Sequence, residues 1–148
     1  MIGILGIGNK LRGDDGIGIV VAQSMKNRDL PSDVEVYEVG SGGLKVLHRL
    51  ENFEKVILVD SVRFGESPGD YSFFSPEEVK SMKGFSGTHG TDVLEIIELS
   101  EKIDKSPEEI LILGVQPKSL SLGDDISPVL QDKLSDILDE LEKKVNSL

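Results

Sequence analysis

The first 18 residues constrain this chain most, because an apolar run there breaks into glycines, two adjacent acids and a helix-like stretch. The run over residues 1–7 is apolar on both faces, which is typical of a buried strand in the middle of a parallel sheet. The glycines that follow predict a tight turn, and the stretch from Ile17 to about Lys26 predicts a helix. Ligands bind such sheets beyond the carboxyl ends of the strands, so we expect the functional site at residues 6–15.

Composition limits the class of protein and its partners. A chain of 148 residues with 38% hydrophobic and 29% charged residues predicts one globular domain, residues 1–148, that can bury a core. The absence of cysteine excludes disulfides, thiolate nucleophiles and cysteine-based zinc sites. A net charge of -11 argues against nucleic acid and anionic membranes as partners and favours a cationic or metal-bearing one.

The distribution of apolar residues along the chain indicates the cellular location and the oligomeric state of the protein. No apolar stretch approaches the length of a bilayer span, and the N-terminus lacks a signal peptide, so we expect a cytoplasmic protein. No large exposed apolar stripe is visible in the sequence, so we expect a monomer.

Alternating strand and helix patterns predict an α/β fold with a mostly parallel sheet of about five strands. The short aromatic strand Tyr71–Phe74 is expected to be an antiparallel edge. Residues 75–91 predict a long loop with at most one helical turn, and Asp92 is expected to open a helix through a capping box. The remaining predicted elements are strands 34–39, 55–60 and 109–115, a helix at 44–51, and a last helix with Ser127 as cap and Pro128 at its first position.

This topology brings together acids that are distant in sequence. Right-handed crossovers commonly place the first strand beside the second and the third, so Asp15 and Asp60 are expected to face one crevice. His89 is the third candidate, because it lies in a glycine-rich loop just before a helix start. Two carboxylates and one imidazole suit zinc, nickel, manganese or iron and leave coordination positions open for water or substrate.

Each candidate also has an ordinary structural interpretation. Asp14 or Asp15 can be a helix cap, and Asp60 can cap the turn at Ser61. His89 taken alone can be a simple loop histidine, and His48 is expected to be solvated surface. Only the convergence of Asp15, Asp60 and His89 favours the metal site.

A dinucleotide site is the competing interpretation of the opening glycines. Gly6-Ile7-Gly8 follows a strand, but the third glycine of a G-x-G-x-x-G turn is replaced by Leu11. Two acids where a pyrophosphate would lie repel it, so we exclude a nucleotide role.

The opening segment resembles the signature G-x-G-N-x-L-x-x-D-[DE]-G-x-G of the hydrogenase maturation proteases. The resemblance continues at Val59-Asp60, at Thr88-His89, and at Gly114-Val-Gln-Pro117 with Gly123 and Ser127. The family often has proline or serine before the histidine and glutamine after it, whereas this chain has Thr88 and Gly90. The similarity extends over nearly the whole chain.

The resemblance implies a three-layer αβα sandwich and a concrete activity. These endopeptidases remove a C-terminal extension from the large-subunit precursor of nickel-iron hydrogenase after nickel insertion. The metal-contacting and catalytic residues of the family fall on Asp15, Asp60 and His89. Nickel is then supplied by the substrate, and zinc or cadmium are expected to fit the same ligands in vitro.

Our sequence-based hypothesis is an aspartic-type maturation endopeptidase in which Asn9 and Asp14 shape the turn. Its partner would be a hydrogenase large-subunit precursor. The alternative from another class is a metal-sensing or chaperone module that binds the precursor without cutting it. A third interpretation, a small acidic binding domain without metal, predicts that alanine at Asp15, Asp60 or His89 leaves processing untouched.

Overall fold

The computed structural model describes residues 1–41, 43–81, 86–87, 90–123 and 125–148, with side chains for all of these except 86–87 and 90–92. Strands and helices alternate along most of this chain. They are β1 (Ile2–Ile7), a 3₁₀ turn (Gly13–Gly16), α1 (Ile17–Met25), β2 (Val34–Gly40), α2 (Gly43–Leu50), β3 (Lys55–Arg63), β4 (Tyr71–Phe74), α3 (Pro76–Ser81), β5 (Ser86–Gly87), α4 (Gly90–Lys102), β6 (Glu109–Val115) and α5 (Pro128–Ser147).

The main sheet has the order β2-β1-β3-β6-β4. Strands β2, β1, β3 and β6 are parallel, and β4 pairs antiparallel with β6 at one edge. The predicted mostly parallel sheet with an aromatic antiparallel edge is therefore confirmed. Because β1 lies between β2 and β3, the loops that follow these three strands meet at one edge of the sheet.

Helices cover both faces of the sheet, which gives the expected three layers. On one face the sheet packs against α1 and α5, through a core whose fully buried members include Val21, Leu130 and Ile137. On the other face it packs against α2, α3 and α4, through side chains that include Leu50, Val79 and Ile97. None of the helices in the described part of the chain has the length and apolar character that a bilayer span requires.

Helix α1 lies so close to the sheet that only glycine fits at the contact. A Cβ at Gly18 would overlap the carbonyl oxygens of Ile7 and Val59, and a Cβ at Gly6 would overlap the carbonyl oxygen of Gly18. Because Gly6 and Gly18 have no side chain, α1 can pack directly against β1 and β3. This contact fixes the turn that joins β1 to α1.

We therefore expect Gly18→Ala to lower the free energy of unfolding by about 3 kcal/mol, since backbone atoms have to shift to admit one methyl group. Thermal denaturation should show a Tm loss of about 6–12 °C. Gly43→Ala is the matched control, because its Cβ would meet only the flexible end of Ile96, at 3.3 Å. An equal Tm for the two variants would contradict this account of the helix–sheet contact.

The structure differs from the sequence-based expectation in four places. Strand β3 was expected to end at Asp60 but continues to Arg63, because β6 pairs with it as far as Ser61 and β5 pairs with Val62 and Arg63. The two-residue strand β5 was not predicted, and α3 is longer than the single helical turn expected within residues 75–91. Helix α4 begins at Gly90, so Asp92 lies inside the helix and not at its cap position.

Candidate active site

Asp15 lies in the 3₁₀ turn that follows β1, and its side chain is held from two directions. The residue is fully buried, at 0% exposure. Its Oδ2 accepts a hydrogen bond from the backbone N–H of Asn9 at 3.0 Å, and its Oδ1 accepts one from the Ser61 hydroxyl at 3.4 Å. A buried carboxylate is costly unless such donors are present, so this orientation is built into the turn.

Asp60 lies in β3 one residue beyond Val59, the last residue that pairs with β1. It is 3% exposed, and its Oδ1 accepts a hydrogen bond from the backbone N–H of Ser61 at 2.8 Å. The alternative interpretation, in which Asp60 caps a turn at Ser61, is wrong in one respect: Asp60 accepts this bond, but Ser61 lies inside β3 and not in a turn. Asp60 also lines a small cavity whose other walls are apolar, with Val62, Val79 and Val93 among them.

Ser61 connects the two acids. Its hydroxyl donates to Asp15 and its backbone N–H donates to Asp60, while the residue itself is fully buried. The carboxylates of Asp15 and Asp60, 45 positions apart in sequence, thus share one hydrogen-bonding residue at the carboxyl edge of β1 and β3. Sequence reasoning did not single out Ser61, although its position next to a strand acid was a usable signal.

The third predicted ligand, His89, lies outside the described residues. Within the part of the chain whose side chains are described, no three His, Asp or Glu residues are grouped as a metal site. The assignment of Asp15, Asp60 and His89 as one ligand set therefore stays a prediction. His48, expected on the surface, has a side chain that is 74% exposed beside Glu51.

Asp14 holds the loop before α5 and does not face the other acids. Its Oδ2 accepts hydrogen bonds from the backbone N–H groups of Lys118 (2.8 Å) and Ser119 (3.1 Å) and from the Ser127 hydroxyl (2.9 Å). Its Oδ1 accepts one from the Ser127 backbone N–H at 2.6 Å. Of the two adjacent acids Asp14 and Asp15, Asp14 therefore has the structural role. It connects residues 118–127 to the turn that carries Asp15.

Ser127 corrects one detail of the sequence analysis. It occupies the N-cap position of α5, with Pro128 following it, as expected. Its hydroxyl makes no capping bond to the helix, because it donates to Asp14 instead. The cap residue therefore connects α5 to the candidate site.

Two amide side chains complete the framework. Asn9 Oδ1 accepts the backbone N–H of Leu11 at 2.9 Å, which is the turn-shaping role expected of Asn9. Gln116 Oε1 accepts the backbone N–H of Phe64 at 2.9 Å and so joins the end of β6 to the loop after β3. Sequence reasoning quoted Gln116 within a motif but assigned it no role.

This arrangement has a defined chemistry. Two buried carboxylates at one edge of the sheet accept hydrogen bonds from Asn9 and Ser61, in a chain that is acidic as a whole. Such a pair can bind a divalent cation or take a proton from water. Elsewhere in the chain, the Lys26 ammonium lowers the pKa of the Glu38 carboxyl, but Glu38 takes no part in this pair.

Comparison with known proteins assigns the family. The sequence model of the hydrogenase maturation proteases matches residues 19–144. The chain belongs to this family. It is accordingly a peptide hydrolase, as the sequence analysis expected.

Relatives and solved structures agree with this assignment. A Methanocaldococcus jannaschii protein assigned as a hydrogenase maturation protease is 29% identical over 139 residues, which cover 93% of this chain and 88% of that protein. The hydrogenase maturation protease HycI of Thermococcus kodakarensis is 26% identical with a TM-score of 0.78, covering 98% of this chain and 92% of the other. The endopeptidase HybD of Escherichia coli shares the fold with a TM-score of 0.87 at 23% identity, covering 99% and 92%.

Proposed function

We propose that this protease removes the C-terminal extension of a nickel-loaded hydrogenase large-subunit precursor. The observation that carries the proposal is the pair of buried carboxylates, Asp15 and Asp60, joined through Ser61 at the carboxyl edge of the sheet. The chain contains no cysteine, so a thiolate nucleophile is excluded, and the two carboxylates are the groups to which we assign an activity of the aspartic type.

We assign Asp15, Asp60 and His89 as the residues that contact the metal and carry the reaction. Support for including His89 comes from its neighbours along the chain. Gly87 pairs with Val62, two residues from Asp60, and Val93 lines the cavity that Asp60 also lines. The segments on both sides of His89 thus reach the vicinity of Asp60.

The nickel ion belongs to the substrate in this proposal. Oxygen ligands and one imidazole leave coordination positions open, which suits an ion that arrives already bound to another protein. When bound, a divalent cation supplies a Lewis acid for a carbonyl oxygen or a water. The chain's own contribution is to hold that ion with Asp15 and Asp60, whose orientations are fixed by Asn9 and Ser61. We expect this reaction to take place in the cytoplasm.

The test is incubation of the purified protease with nickel-loaded precursor, followed by mass measurement of the large subunit. We expect the mass to fall by that of one C-terminal peptide, and we expect no change with nickel-free precursor. Stable binding of the loaded precursor without any loss of mass would instead support a non-cleaving metal-sensing or chaperone module.

A further inference from the structure

Large apolar side chains are exposed unevenly over this molecule. Among the side chains that are described, the three most exposed large hydrophobic ones are Leu11, Leu44 and Leu122, at 68%, 76% and 80%. All three follow the carboxyl ends of strands, namely β1, β2 and β6. The less exposed ones, such as Met1 and Ile103 at 44%, lie toward the amino ends of the strands. The three most exposed leucines therefore lie at the sheet edge that carries Asp15 and Asp60, the acid pair.

Leu11 and Leu122 are connected to the acid pair by consecutive hydrogen bonds. The Asp15 carboxylate accepts the backbone N–H of Asn9, whose side chain accepts the backbone N–H of Leu11. The carbonyl oxygen of Leu11 then accepts the backbone N–H of Gly123, next to Leu122, at 2.6 Å. The two leucines thus lie on loops that are bonded to the framework of the site.

These loops are held in place from other sides as well. Gly13 has φ +57°, and a Cβ there would come within 2.8 Å of the Ser119 carbonyl oxygen. Asp14 binds the backbone of residues 118 and 119. Leu44 belongs to the same edge, because the backbone N–H of Gly8 binds the carbonyl oxygen of Gly40 just before α2. Because their backbone is already fixed, covering these side chains does not add the entropy cost of ordering a loop.

We propose that Leu11, Leu44 and Leu122 are docking contacts for apolar side chains of the precursor polypeptide around its metal centre. This inference rests on the proposed function and extends it from the reacting residues to substrate recognition. Exposed leucines on the segments around two buried carboxylates fit a substrate that presents a cation surrounded by folded protein.

The small apolar area of these three leucines favours the substrate, and not a second copy of this chain, as their binding partner. Fully burying a leucine side chain removes only about 60–120 Å² of apolar surface from water. Three leucines therefore fall short of the roughly 600 Å² per partner that the smallest specific interfaces use. A partner that contacts these leucines therefore needs a second binding interaction. In the proposed function, metal coordination at Asp15 and Asp60 supplies it.

The test compares precursor processing by three proteins: the wild type, the double variant Leu11→Ser/Leu122→Ser, and Leu44→Ser. Initial rates are measured by mass over a range of nickel-loaded precursor concentrations. We expect KM to rise about tenfold or more in the double variant, with kcat nearly unchanged, because the leucines bind substrate away from the reacting atoms. Leu44→Ser should raise KM by a smaller factor. Ile103→Ser, at the opposite edge, is the matched control and should stay within about twofold of the wild type.

The outcomes separate this inference from the proposed function. If the wild type processes the precursor and the leucine variants match it, docking by these leucines is wrong and the proposed function stands. A fall in kcat at constant KM would show that the leucines act on the geometry of the site, which also overturns the inference. If sedimentation shows a wild-type dimer that the variants lose while KM is unchanged, the occupant is a second copy. If the wild type cleaves nothing, the proposed function fails, and equilibrium binding of the loaded precursor still tests the leucines.

Discussion

Replacing Asp15 with asparagine is expected to lower the rate of precursor processing by between about a hundredfold and ten-thousandfold. Asparagine keeps the shape of the side chain but loses the charge that binds a cation or accepts a proton. The protein should remain folded, because the amide oxygen of asparagine can still accept a hydrogen bond from the backbone N–H of Asn9 or from the hydroxyl of Ser61. Asp60→Asn should have an effect of the same order. The measurement is the initial rate of mass loss from nickel-loaded precursor, with Tm recorded in parallel.

Two further variants make this result interpretable. Asp15→Glu should restore part of the activity, since the family signature accepts either acid at this position. Asp132→Asn removes an equivalent charge from the exposed surface of α5 and should leave the rate unchanged. If Asp15→Asn is folded and processes precursor at the wild-type rate, the acid pair has no catalytic or metal-contacting role. Processing would then have to be carried out by other residues of the chain.

The largest loss of stability is expected from Asp14→Ala. This change leaves three buried or half-buried backbone N–H groups and one hydroxyl without the carboxylate that accepts them. Hydrogen bonds to a charged acceptor are worth about 1.5–3 kcal/mol each, partly offset by the cost of burying the charge. We expect a net loss of about 3–5 kcal/mol in the free energy of unfolding. Chemical denaturation monitored by circular dichroism measures it.

A graded series tests the assignment to these hydrogen bonds. Ser127→Ala removes one of the four donors and should cost about 1 kcal/mol. Asp125→Ala changes an exposed acid in the same loop and should stay within about 0.5 kcal/mol of the wild type. If Asp14→Ala matched Asp125→Ala, Asp14 would not be the residue that holds the loop before α5.

The local sequence was sufficient for most of the strands and helices and for much of their arrangement. Strand β1 was predicted because Ile2, Ile4 and Leu5 leave no polar face, and only a central strand buries both faces. The antiparallel edge strand Tyr71–Phe74 was predicted from its aromatic pattern and the turn before it. The place of the site followed from the rule that the carboxyl ends of neighbouring parallel strands share one edge.

Sequence-based predictions were wrong where a contact with a segment distant in sequence determines the local structure. Strand β3 extends beyond Asp60 because β5 supplies a partner for Val62 and Arg63, and a two-residue strand has no pattern of its own. Ser127 has the residue type and position of a helix cap, yet its hydroxyl binds Asp14 across 113 positions. Local propensity describes only the neighbours of a residue in sequence, whereas both of these choices depend on neighbours in space.

The amino-acid sequence alone determined the order of strands and helices, the acidic character of the chain and the two carboxylates that would meet, because hydrophobic periodicity and chain topology are local or nearly local properties. Only the tertiary structure assigned different roles to the adjacent acids Asp14 and Asp15. One lies against the loop before α5 and accepts four hydrogen bonds, and the other is turned toward Ser61 and β3. That difference arises because successive residues of a tight turn point in different directions, and each direction is occupied by a part of the chain remote in sequence.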